Sequence, residues 1–213
     1  MTQNINLKAL EKKAWRSVFQ DGLWDIFLGL LLMAFGLSAW LDRLALSESM
    51  RVGIYISAEV VAMVVLFAGK RFITIPRMGM VKFGAERRKR RNIVRLLLFI
   101  SVLVGLAMWF LASSLMNEEG SILSGKWFFP LVWVLNMLMV FGLGAYFLEY
   151  ERLYIIGFLY ALVIPLDVVI KSVAKVDLDI YIFLAGGLII LVMGITYLVR
   201  FLRDYKPVSP DQD

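Results

Sequence analysis

Six separate stretches of this chain are long and apolar enough to cross a lipid bilayer as helices, and no other property constrains its fold as much. A spanning helix needs about 20 mostly apolar residues, because the hydrocarbon core is roughly 30 Å thick and a helix rises about 1.5 Å per residue. Residues 22–41, 52–69, 93–112, 127–147, 153–170 and 180–199 come close to or meet that requirement. In lipid, every backbone polar group has to be satisfied within the protein, which favours helices for runs of this kind. Composition agrees. Hydrophobic residues make up 61% of the 213 positions, against roughly 45–50% in a soluble domain. The expected fold class is an all-α integral membrane protein, a six-helix transmembrane bundle. Residues 22–200 form its spanning domain, with 1–21 before it and a cytoplasmic tail at 201–213, partly disordered.

Charge sets the expected orientation. Of the 23 Lys and Arg residues, 18 fall on one side of the alternating spans. Arg43, Arg51, Lys126, Lys171 and Lys175 make up the other side. Basic residues in short loops stay in the cytoplasm, so both termini are expected there, in a multi-pass protein of the cell membrane. The first apolar run is long enough to span and has no small-residue cleavage site after a short core, so no cleavable signal peptide is expected.

Two segments outside the spans carry a pattern. In residues 1–21, Leu7, Leu10, Ala14 and Val18 share one helical face, while Lys8, Lys12, Lys13 and Arg16 lie mostly on the other. That is the signature of an amphipathic helix lying in the membrane interface; packing on the cytoplasmic ends of the bundle is compatible with it. Residues 70–92 form the one long connection and are expected to be a basic cytoplasmic loop. Phe72, Ile73, Thr74 and Ile75, and then Met80 to Phe83, read as short β-prone stretches around turn residues Pro76 and Gly79. Arg87, Arg88, Lys89, Arg90 and Arg91 follow as five consecutive cations. They are expected to anchor topology and bind anionic lipid headgroups, or to dock an acidic partner. Nucleic acid is not an expected partner of cations placed beside apolar runs.

Pro76, Arg77, Gly79, Val81 and Phe83 fit the pattern P-R-x-G-x-V-x-F after the second span, and Asp21, Gly22, Leu23, Trp24 and Asp25 open the first span. In both places the chain resembles a group of uncharacterised small prokaryotic polytopic membrane proteins. The resemblance covers about a tenth of the sequence and implies no activity.

The chain has no Cys and no His. This removes disulfides, thiol nucleophiles, the commonest metal ligand and the usual base near neutral pH. No phosphate-binding loop, dinucleotide fingerprint or metal-ligand pairing is present. The chain is not expected to be an enzyme or to hold a metal or cofactor.

Polar residues inside the spans carry what functional information there is, because a charge at the bilayer centre costs at least ~2.5–3.5 kcal/mol. Glu59 is near the middle of the second span, with Tyr55 and Met63 one turn either side. It reads either as a proton- or cation-coupled carboxylate or as a structural acid. Asn136 is at similar depth in the fourth span and calls for a partner helix; contact with Glu59 is one expectation. Asp25 shares a face with Gly22 and Gly29, so it should face protein, with Arg95 as the expected partner. Asp167 follows Pro165 by two residues, a combination that resembles a cation-binding or gating site; near the outer end of its span, it could equally reach the outer interface. The leading expectation is a transporter- or channel-like protein with an intramembrane carboxylate. The alternative is a non-transporting scaffold or regulatory subunit that docks a partner or anionic lipid through residues 70–92. A second copy or a membrane partner protein fits either.

Overall fold

The computed structural model describes residues 19–78, 85–115 and 127–205. Their regular structure is entirely helical, with no strand among the described residues. Six helices are long and apolar enough to cross a membrane, in agreement with the expected fold class. The long helices are α1 (Leu23–Leu41), α2 (Glu48–Gly69), α4 (Ala85–Leu115), α5 (Phe128–Leu148), α6 (Arg152–Ala174) and α7 (Asp179–Asp204), with a short α3 (Ile75–Met78) after α2. The amphipathic pattern of residues 1–18 and the end of the tail lie outside the described residues.

The helices group into two compact units. The first comprises Met1–Gly84 and Gly187–Asp213, the second Ala85–Gly186, so α7 starts in the second and ends in the first. In the first unit, Gly22 opens α1 in the left-handed region at φ 69°, a conformation that costs glycine nothing. Ile26 N–H returns to the Gly22 carbonyl at 3.0 Å. Ser47 caps α2 by accepting from Met50 N–H, and Arg51 bonds Asp42 at 2.7 Å across the α1–α2 turn. The α1–α7 crossing is built on bare backbone. A Cβ on Gly29 would sit 2.8 Å from Leu191 N and 2.9 Å from Gly187 O. One on Gly22 would overlap the Gly194 carbonyl oxygen. Small residues of this kind let helices approach without a hydrophobic driving force. Leu23, Ile26 and Leu66 form the buried core beside that crossing.

The second unit relies on side chains. Phe141 and Tyr160 pack at 4.9 Å between ring centroids, and Trp133 Nε1 donates to the Tyr160 carbonyl at 2.8 Å. Helix α6 continues through Pro165 from Arg152 to Ala174. Proline leaves the carbonyl four residues back, that of Ala161, without its usual donor.

Residues 70–78 and 85–92 are helical, in place of the expected loop. Helix α2 passes into a π-helical segment, Lys70–Thr74, and then into α3. Phe72, Ile73, Thr74 and Ile75 are therefore helical, not β. Helix α4 starts at Ala85, which puts all five consecutive cations on a helix. Two physical reasons account for the difference. Helix propagation adds one hydrogen bond per residue and overrides a weak β preference over four residues. Pro76 lacks an N–H and crowds the carbonyl four residues before it; the wider turn ahead of it, in which Ile75 N–H bonds the Lys70 carbonyl, makes room. Residues 79–84, which include the rest of the expected hairpin, lie outside the described residues.

Candidate functional site

The first unit buries two acidic groups, Asp25 against α7 and Asp21 along the α1–α2 interface. Asp21 and Asp25, one turn apart at the start of α1, are both 0% exposed. Asp21 is held from three directions. Its Oδ1 accepts the Leu23 N–H at 3.2 Å, and its Oδ2 accepts Lys70 Nζ at 2.6 Å and Thr74 Oγ1 at 2.5 Å. The π-helical segment presents Lys70 and Thr74 together. Residues four apart share a helix face, and π segments recur where a helix must aim particular side chains. Asp25 packs against α7, where a Cβ on Gly194 would lie 2.9 Å from its own Cβ. The expected partner, Arg95, belongs to the second unit and donates to Asn92 Oδ1 at 3.5 Å.

Glu59 lies deeper on the same interface. Ala62, Leu66 and Gly69 are buried, and Tyr55, Ala58 and Glu59 are half-buried, so these positions define the stripe of α2 that is turned inward. Leu23 packs over Gly69, and the Phe35 and Tyr55 rings lie 6.5 Å apart. That antiparallel register sets Glu59 level with Leu31, Leu32 and Met33 of α1. Its polar neighbour is Tyr55, one turn away, whose hydroxyl interacts with the Glu59 carboxyl. Asn136 belongs to the second unit, where its Nδ2 donates to Ser101 Oγ at 2.9 Å and ties α5 to α4.

The five cations divide by helical phase. Arg87 and Arg90 turn inward and grip the same oxygen of Glu149, at 2.6 and 3.1 Å. Glu149 ends α5 in the left-handed region at φ 54°, a conformation that costs a non-glycine residue about 1–2 kcal/mol. Arg88, Lys89 and Arg91 are exposed. At the far end of the second unit, Asp167 meets Lys171 at 2.9 Å, and Lys171 also reaches Asp177 at 2.9 Å and Asp179 at 3.7 Å. The cation beside Asp167 is thus a lysine one turn along. No group of three or more acidic residues among those described is arranged to hold a metal ion.

Asp21, Lys70, Thr74 and Glu149 were not singled out as site residues by sequence reasoning. Asp21 and Lys70 sit at the brink of adjacent spans on the same expected side, which is a usable signal. Glu149 is an acidic residue in a short interhelical turn, and nothing local marks its arginine partners. The chain matches no protein-family model, and neither a curated protein nor a solved structure is detectably similar to it.

Proposed function

We propose that the chain is a small membrane transport protein in which Glu59 takes up and releases a proton or a monovalent cation. The observation that carries this reading is the direction of Glu59: it lies on the inward stripe of α2, against α1, in the unit that also buries Asp25 and Asp21, the latter paired with a partly exposed Lys70. Ionisable groups in apolar spans are costly and usually mark the path of an ion or proton. From Glu59 to Lys70 the α2 axis covers roughly 16 Å, at about 1.5 Å per residue. The polar groups thus step from mid-span to the basic end, which in this reading faces the cytoplasm of a cell-membrane protein. Tyr55 supplies a hydroxyl that can stabilise the carboxylate when it is charged.

The test is flux through the purified full chain in proteoliposomes. Wild type should dissipate a proton or monovalent-cation gradient. Glu59→Gln should fold with an unchanged melting temperature and lose at least about tenfold of the flux, as expected when a group that must change charge no longer can. Equal flux in the variant removes Glu59 from the path. No flux from wild type across protons, monovalent cations and small solutes overturns transport altogether. A docking role would then stand in its place, and one observation favours it: Arg88, Lys89 and Arg91 remain exposed while Arg87 and Arg90 are paired with Glu149.

A further inference from the structure

The start of α4 carries a second feature, separate from the transport reading. Arg87 and Arg90 are spent on Glu149. Arg88 and Lys89 have no carboxylate partner among the described residues. With Asn92, Ile93 and Leu96 they line a shallow groove of about 480 Å³ on the second unit. Arg88, Asn92 and Leu96 are spaced four apart, and Lys89 and Ile93 likewise, so the groove runs along one face of the helix from charge to hydrocarbon. Leu96 is 57% exposed, and the apolar surface continues through Phe99, Ile100 and Leu103. The span that begins at Glu86 has no buried residue in its most apolar window. Asn92 Oδ1 accepts from Arg95, which leaves its amide N–H groups as donors.

We infer that this groove binds one anionic glycerophospholipid, with its phosphate on Arg88, Lys89 and the Asn92 amide and an acyl chain along Ile93 and Leu96. Each part of the ligand answers a part of the site. Guanidinium and ammonium groups recognise phosphate by charge-assisted hydrogen bonds. A soluble anion or an acidic peptide would leave the apolar half of the groove unused. A zwitterionic lipid would bring its own cation towards two positive side chains. The position is also right, because basic residues at the start of a spanning helix sit at headgroup depth.

The inference is tested on the full chain in detergent micelles doped with equal phosphatidylglycerol and phosphatidylcholine, by counting the lipids retained in native mass spectrometry. Wild type should retain one phosphatidylglycerol in clear excess. Arg88→Gln combined with Lys89→Gln should lower that preference about thirtyfold, the effect of removing two interfacial cations. Arg91→Gln, outside the groove, should leave it within about twofold. Arg87→Gln should lower the melting temperature by loosening Glu149 yet keep the lipid preference. Leu96→Asn should weaken retention of phosphatidylglycerol while leaving any binding of inorganic phosphate unchanged. The inference is overturned if the double variant keeps the wild-type excess. It is also overturned if Arg91→Gln loses the preference as fully as the double variant, which would mean a diffuse basic surface. Displacement of the lipid by millimolar inorganic phosphate would overturn it too, because the groove would then be a soluble-anion site.

Discussion

The two units of this chain hold helices together by different main means. In the first, α1 meets α7 through glycine backbone at Gly22, Gly29, Gly187 and Gly194, and Asp21 is buried with Thr74 and a partly exposed Lys70. In the second, side chains reach between helices: Trp133 to the Tyr160 carbonyl, Asn136 to Ser101, and Arg87 and Arg90 to Glu149. Both are answers to the same problem. Lipid tails are as apolar as leucine, so burying leucine against leucine gives spanning helices little net attraction. Association has to come from close backbone approach or from polar groups that find partners. The first unit uses the former and surrounds its buried polar cluster with it. The second relies mainly on the latter, with one close approach where a Cβ on Gly157 would overlap the Phe141 side chain, and keeps most of its charges at the rim. The first should accordingly be brittle to substitution, and the second tolerant.

The largest effect is expected at Asp21. Removing one member of a buried ion pair strands the other, at a cost of about 3–5 kcal/mol. Asp21→Ala leaves Lys70 and Thr74 facing a void, and Lys70 is 20% exposed, so it can turn part-way to water. A loss near the lower figure is expected in thermal unfolding monitored in detergent. Adding Lys70→Met should restore most of it, because replacing a buried pair with apolar groups is often neutral. If the double variant is no better than the single one, the cluster is held by something other than the ion pair. Gly29→Leu comes next. Even its Cβ has no room beside Leu191 N and Gly187 O, and overpacking typically costs about 1–3 kcal/mol. Unchanged melting would mean that α1 and α7 separate freely and that the first unit is not built on that crossing.

How much of this was legible in the sequence differs between the units for the same physical reasons. Six spans were readable because each is a long apolar run, and the glycines at 22 and 29 marked the close face of α1. The helix ends were not. Apolar content stops at Gly69 and resumes at Ile93, but helices continue through charged residues on both sides, so a reading by hydropathy turned Lys70–Thr74 and the start of α4 into loop. That reading also hid the division of the cations, since Arg87 and Arg90 separate from Arg88 and Lys89 only at about 100° per residue. Depth could be counted for Glu59, but not direction. The partners of Asp21 are 49 and 53 residues away, and Glu149 is 62 residues from Arg87. For Asp21 and Lys70 the shared side of the spans is a signal, but for Glu149 and its arginines nothing local in the sequence marks the pairing.

The smallest effect, and the sharpest test of the contrast, is expected at Asn136. Its Nδ2 donates to Ser101 Oγ, but its buried Oδ1 has no partner among the described residues. The amide therefore gains one interhelical hydrogen bond, of the sort that averages about 0.6 kcal/mol within membranes. Against that stands a carbonyl taken out of water with nothing to replace it. Asn136→Leu removes the bond and the unpaired carbonyl together, so the two terms offset and the net change should fall within about 1 kcal/mol. Ser101→Ala behaves differently. It deletes the acceptor and leaves the whole amide unsatisfied, so it should destabilise more than Asn136→Leu although it removes a smaller group. The double variant should return close to Asn136→Leu alone. This ordering separates polar glue from polar function. Glue in the second unit is replaceable by leucine at a single position, whereas the Asp21 cluster has to lose both members of its ion pair together. Should Asn136→Leu cost more than about 2 kcal/mol, or exceed Ser101→Ala, the unit would depend on this amide for more than a single bond, and the division between a brittle and a tolerant unit would fail at the residue chosen to test it.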